Sequence, residues 1–175
     1  ALKGSGIQVP ALDTYAWRLW DYWERHLDPD LYIDRTLKGK VRNKVVVITG
    51  GSSGIGLATA QKVAAAGAVT VIVARGEEEL FKARDAMKKD GGKVFAYTAD
   101  LADMASCDGL VEQVLGAHGS VDVLVNNAGR SIRRSIEASY DRFHDFERTM
   151  QLNYFGSIRL IMGFMPTMTQ RRKGH

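Results

Sequence analysis

The sequence predicts an α/β protein built on an open, doubly wound parallel sheet, and three observations carry that reading. Short apolar, β-branched runs recur at residues 44–49, 69–74, 93–99 and 121–125, the pattern of strands buried on both faces of a parallel sheet. Helix-forming segments at 57–66, 77–90 and 104–117 separate them. A glycine-rich turn from Thr49 to Gly56 joins the first strand to the first helix. Three successive right-handed crossovers argue for an open, doubly wound sheet with a ligand at the carboxyl ends of its strands; the strand order expected is 3-2-1-4.

Composition agrees with this. The 175 residues are 45% hydrophobic and 25% charged, ordinary for a globular protein with one sizeable core. A formal charge of +4 suits anionic ligands such as nucleotides or CoA. Cys107 stands alone, so no internal disulfide forms and a reducing, cytoplasmic compartment is expected. No apolar run approaches the ~20 residues of a membrane span, and no signal peptide opens the chain. The first residue is Ala1, so a chain processed or cut from something longer is expected. His26, His118, His144 and His175 are scattered, which gives no metal site.

Residues 1–40 read as an N-terminal helical extension and 41–175 as the α/β unit. Gly4, Ser5, Gly6 and Pro10 mark a loop, Asp13 suits an N-cap, and 14–27 has amphipathic helical spacing, with Ala16, Trp20, Trp23 and Leu27 on one stripe before Pro29. All three tryptophans fall here. This helix either docks on its own domain or connects to an upstream domain or another subunit.

Within the α/β unit, Lys44 to Thr49 form the first strand and 57–66 the first helix, stopped by Gly67. Residues 77–90 begin with acids and end with Lys88 and Lys89, as a helix dipole favours. The turn between first strand and first helix is an anion site, because unpaired N–H groups of the first helical turn face it. Glycine there permits positive φ and removes the Cβ that would hold a pyrophosphate away. Beyond the fourth strand, 139–172 reads as one long helical stretch with Met, Leu and aromatic residues on its buried side, Asn153 within it and Pro166 near its end. The closing Arg171, Arg172 and Lys173 suit a solvated helix end.

The turn reads T-G-x-x-x-G-x-G and departs from the generic G-x-G-x-x-G fingerprint. Asn126-Asn127-Ala128-Gly129 follows the fourth strand. Two such motifs in matching structural context resemble the short-chain dehydrogenase/reductase family. The resemblance implies a Rossmann-like fold and an oxidoreductase that moves a hydride between a nicotinamide cofactor and a carbonyl. It implies cofactor contacts from Gly50, Ser52, Ser53, Gly54, Ile55 and Gly56 on the turn. Further contacts are implied from Asp100 (to the adenine amino group) and Leu101, and from Asn127, Ala128 and Gly129. Asn153 matches the family asparagine that holds a water in the proton relay.

The cofactor expected is NADP(H). The acid that would bond both ribose hydroxyls of NAD at the end of the second strand is replaced by Ala74, and Arg75 follows. Family members continue with a strand bearing a catalytic serine and a Tyr-x-x-x-Lys helix; none of the six tyrosines here has Lys four positions on. A segment of a larger enzyme, inactive alone, is therefore expected, with the edge of the fourth strand open. NNAGRSIRRS and the segment after it resemble the reductase domain of bacterial multidomain fatty acyl-CoA or fatty-aldehyde reductases. Arg130, Arg133 and Arg134 would then attract an acyl-CoA. A homo-oligomer is expected. The competing function is a non-catalytic nucleotide-binding module. A nucleic-acid partner is not expected, because the basic residues lack interleaved stacking aromatics.

Overall fold

The computed structural model describes residues 6, 10–26 and 34–175, and the chain divides into two units, Ala1–Arg35 and Thr36–His175. In the first unit, α1 spans Leu12–His26. It starts ahead of Asp13, which therefore sits in the first turn as an acid and does not cap the helix. Thr14 instead returns its N–H and its hydroxyl to the carbonyl of Ala11, at 3.0 and 2.6 Å. Trp20 donates to Glu24 at 2.7 Å and packs 5.3 Å from Trp23. No residue of α1 is buried. Gly4, Ser5, Leu27 and Pro29 lie outside the described residues.

The second unit runs α2 (Leu37–Val41), β1 (Val45–Thr49), α3 (Gly54–Ala65), β2 (Val69–Ala74), α4 (Glu77–Lys89), β3 (Lys93–Thr98), α5 (Met104–His118) and β4 (Val123–Val125). The four strands are parallel in the order β3-β2-β1-β4, as their patterning requires. Successive side chains of a strand point to opposite faces, and this divides the core. Val46, Ile48 and Ile72 meet Ala60 and Val63 of α3 and Leu80 of α4 on one face. Val47, Val71 and Val73 meet Leu110 and Val114 of α5 with Leu160 and Phe164 on the other. Central β1 and β2, covered on both faces, are almost wholly apolar, while the edge strand β3 exposes Lys93, Phe95 and Thr98.

Beyond β4 the structure departs from the sequence expectations. The stretch 139–172 is not one helix. It consists of a 3₁₀ turn at Glu137–Ser139, α6 at Phe143–Met150, a π-helical turn at Gln151–Gly156 and α7 at Ser157–Arg171. Its apolar side is largely exposed: Phe143, Met150, Tyr154, Phe155 and Met162 face outward, and Leu160 and Phe164 are its buried apolar residues. The basic end is exposed, as expected of a solvated helix end, with Arg171 in the last turn of α7. Arg171 donates to Asp122 at 3.0 Å and to the Val121 carbonyl at 2.9 Å. Arg172, at φ 51°, turns the backbone back. His175 then donates to the Asp122 carbonyl at 2.9 Å and accepts from Leu124 N–H at 3.0 Å, so the outer edge of β4 is paired at this point.

No helix among the described residues is long and apolar enough to cross a membrane. Among the same residues, no group of His, Cys, Asp or Glu is placed to hold a metal ion.

Candidate functional site

The carboxyl ends of all four strands converge on one cleft of about 300 Å³. Gly50, Ser52 and Ser53 supply the turn after β1. Val73, Ala74, Arg75, Gly76 and Glu79 form the wall at the end of β2. Ala99 and Leu101 follow β3, and Ala128 and Gly129 follow β4, with Leu152 opposite.

The turn is shaped by close backbone packing. Gly50 has φ 66° and Gly54 φ 55°. A Cβ on Gly56 would lie 2.1 Å from the Gly50 carbonyl oxygen and 2.5 Å from Asn127 Nδ2, so no larger residue fits. Ser53 is the N-cap of α3, yet its side chain makes no capping bond. The first N–H groups of a helix have no intrahelical partner, and those of α3 remain available to a ligand. Ile55, 79% exposed, continues this turn outward.

Thr49 locks the β1 turn to the β4 loop. Its buried hydroxyl accepts the N–H groups of Asn127 and Ala128, each at 3.0 Å, and donates to the Val125 carbonyl at 3.3 Å. Asn127 Nδ2 donates in return to the Thr49 carbonyl at 3.0 Å. Asn127 thus ties the β4 loop to the glycine turn beside the cleft.

Asp100 is exposed beside the cleft. One carboxylate oxygen accepts Ala102 N–H at 3.0 Å, while its own N–H donates to the Ser106 hydroxyl at 3.0 Å. The α5 cap is Asp103, which accepts Ala105 N–H at 3.1 Å. Asn153 turns both ends of its amide to Arg130: Oδ1 accepts the Arg130 N–H at 2.9 Å, and Nδ2 donates to the Arg130 carbonyl at 2.8 Å. The π-helical turn puts it there, and Gly156 lets that turn approach. A Cβ on Gly156 would lie 2.2 Å from the Leu101 carbonyl oxygen.

Arg134 is not a free cation. It and Arg142 both donate to Asp145 Oδ2, at 2.8 and 2.9 Å, and His144 Nε2 lies 3.4 Å from Oδ1. The Arg142 hydrogen bond foremost, with Arg134 adding, holds the Asp145 carboxyl below the usual carboxylate range against the opposing effect of burial. Cys107 is buried beneath Leu101, and burial with the nearby acids raises its thiol above the ordinary range. It is an inert thiol.

Glu79 and Leu152 escaped the sequence reading. Glu79 belongs to three acids already accounted for by the start of α4, and Leu152 reaches the cleft through a π-helical turn that apolar spacing does not disclose.

A glycine turn opening a helix, with a cleft across the strand ends of a parallel sheet, defines a dinucleotide-binding α/β protein. Residues 44–175 match the family model described as short chain dehydrogenase, and the chain belongs to that family. It is 53% identical over 144 residues to an uncharacterized oxidoreductase of Mycobacterium tuberculosis, covering 81% of this chain and 42% of the relative. It is 48% identical over 142 residues to a fatty acyl-CoA reductase of Acinetobacter baylyi, covering 81% of this chain and 48% of that protein. The chain thus spans about half the length of these curated relatives. Among solved structures, a metagenomic short-chain oxidoreductase in complex with NADP superposes with a TM-score of 0.72 at 31% identity, over 77% of this chain and 61% of that one. L-Sorbose reductase from Gluconobacter frateurii, complexed with NADPH and L-sorbose, gives 0.70 at 37%, over 75% and 49%.

Proposed function

We propose that this chain forms the cofactor-binding part of an NADP(H)-dependent reductase acting on a carbonyl, a fatty aldehyde or an acyl-CoA thioester. The observation that carries the reading is the cleft itself. The uncapped N-terminus of α3 and the Gly56 contact leave room for a pyrophosphate at the turn. Arg75 lines the cleft where the adenosine ribose would lie. Ser52 and Ser53 offer hydroxyls from the turn, and Asp100 has a second carboxylate oxygen facing no partner among the described residues. The cofactor, when bound, supplies the hydride. The chain's own residues bind it, orient it and shield it, with Leu101, Ala128 and Gly129 along one wall. Asn153, by fixing the Arg130 backbone, shapes the loop where substrate enters; in this proposal it also holds the relay water. The names of the relatives in Acinetobacter baylyi and Mycobacterium tuberculosis support the substrate class.

Residues 1–40 are proposed to be an extension and 41–175 the reductase part. We further propose a homo-oligomer, supported by the exposed apolar row Phe143, Phe146, Met150, Tyr154, Ile158 and Met162. Sedimentation of the Met162→Glu variant checks it, since a monomeric wild-type protein would overturn it.

The second reading is a non-catalytic nucleotide-binding module. NADPH consumption by the 175-residue chain, against a panel of aldehydes, decides between them when set beside an intact reductase that contains it. Binding without turnover by the chain alone, with turnover by the intact protein, is the expected result. No turnover by either favours the module.

A further inference from the structure

A second cavity, of about 410 Å³, opens beside the first and is lined by Arg130, Arg133, Arg134, Arg142 and Arg148, with Asp145 as its acid. We propose that this cavity binds the phosphates of CoA and so places an acyl thioester at the cofactor cleft; the inference rests on the reductase reading above.

The charge balance is the first argument. Asp145 is already taken by Arg134 and Arg142, each donating to the same oxygen. Arg130, Arg133 and Arg148 make no ion pair among the described residues. Guanidinium groups gathered around a shared cavity repel one another unless an anion lies between them. Their planar forks match phosphate oxygens bidentately.

Placement is the second argument. Gly129 lines the cofactor cleft, and the next residue, Arg130, lines the arginine cavity. The two hydrogen bonds from Asn153 to the Arg130 backbone fix that junction. A ligand anchored by phosphate in the cavity thus has its reactive end directed to the cleft through one ordered loop. Asp145 is a positioning residue here: it points Arg134 and Arg142 inward and leaves the other three for the ligand.

Size and lining narrow the ligand. The volume lies within the range of small-molecule pockets, ≈ 300–1,000 Å³, and is larger than a single phosphate requires. CoA carries a pyrophosphate and a 3′-phosphate, several anionic groups on one ligand. No aromatic side chain lines the cavity to stack bases, which sets it apart from a single-stranded nucleic-acid groove.

The test is calorimetric titration of the protein saturated with NADPH, using CoA, 3′-dephospho-CoA and inorganic phosphate as probes. CoA is expected to bind more tightly than 3′-dephospho-CoA, and far more tightly than phosphate. Arg133→Ala and Arg148→Ala should each weaken CoA roughly tenfold, and the double variant about a hundredfold, with NADPH affinity unchanged. If the double alanine variant fails to fold, the Arg133→Lys/Arg148→Lys pair replaces it; it keeps the charge, loses the fork, and should still weaken CoA. Unchanged CoA affinity in a variant that binds NADPH normally overturns the proposal. Phosphate binding as tight as CoA overturns it too, assigning the cavity to free anions. Failure of the wild-type protein to bind NADPH counts against the reductase reading instead, and titration of CoA without cofactor then still reads the cavity.

Discussion

Thr49 and Asn127 hold one another from both sides: the Thr49 hydroxyl accepts the Asn127 N–H, and the Asn127 amide donates to the Thr49 carbonyl, each at 3.0 Å. They are 78 residues apart in sequence, yet this exchange sets the height of the β4 loop against the glycine turn. The same hydroxyl takes Ala128 N–H, while Asn127 N–H is shared with the Val125 carbonyl at 3.0 Å, so Ala128 N–H is the donor that depends on this oxygen.

Thr49→Val keeps the shape and removes that oxygen. An unsatisfied buried donor costs ≈ 1–3 kcal/mol, so a loss of about 2 kcal/mol and a fall in Tm of roughly 4–8 °C are expected. Thr49→Ser keeps the hydroxyl and should stay close to the wild type. Thermal unfolding of the two variants side by side checks this, and equal Tm values for valine and serine would remove the hydroxyl from the account.

The sheet was legible because parallel strands covered on both faces leave unbroken runs such as Val45–Ile48, and helices between them leave glycine stops such as Gly67. The glycine turn was legible because Gly56 answers to a local packing limit. The region beyond β4 was not. A continuous helical period over 139–172 hid three changes of helical pitch, because a π-helical turn disturbs spacing by a single residue. Arg134 read as a free cation because its partner, Asp145, lies across a loop whose path the sequence does not state. The pairing of His175 with β4 was invisible for a similar reason: the residues carrying it are backbone groups, and the basic side chains beside it point to solvent on pattern alone.

A pH dependence follows from His118. Burial holds its imidazole below the ordinary value of 6.5; its Nε2 lies 3.2 Å from the Tyr97 hydroxyl and its ring meets Phe95 edge-on at 4.7 Å. The unfolded chain therefore binds this proton more readily than the folded one. The contribution to stability is complete above 6.5 and is lost as pH falls below it toward the folded value. His118→Gln removes the titration while keeping a polar partner for Tyr97. Between about pH 7.5 and about pH 5.5, wild-type Tm should fall further than that of the variant; parallel falls would show that His118 titrates alike in both states.

Arg75 is the residue we propose to set the cofactor preference. It lines the cleft immediately after Ala74, where an acid would bond both ribose hydroxyls and repel a 2′-phosphate. It is exposed and makes no ion pair among the described residues, so its guanidinium is available. The neighbouring acid on the cleft wall is Glu79, not Glu77, and it lies on the first turn of α4. A carboxylate there opposes a phosphate unless a cation stands between them, which makes Arg75 the element on which preference turns. Charge-assisted hydrogen bonds to the phosphate are worth about 1.5–3 kcal/mol, or roughly 10- to 150-fold in affinity. Arg75→Ala should therefore lower the NADPH-to-NADH affinity ratio by that factor, mainly through weaker NADPH binding. Glu79→Gln should move the ratio the other way by a smaller amount, because it removes repulsion without adding a bond. Titrating wild type and both variants with each cofactor measures the ratios directly. A ratio unmoved by Arg75→Ala would place the 2′-phosphate on other groups, with the Ser52 and Ser53 hydroxyls the next residues to replace.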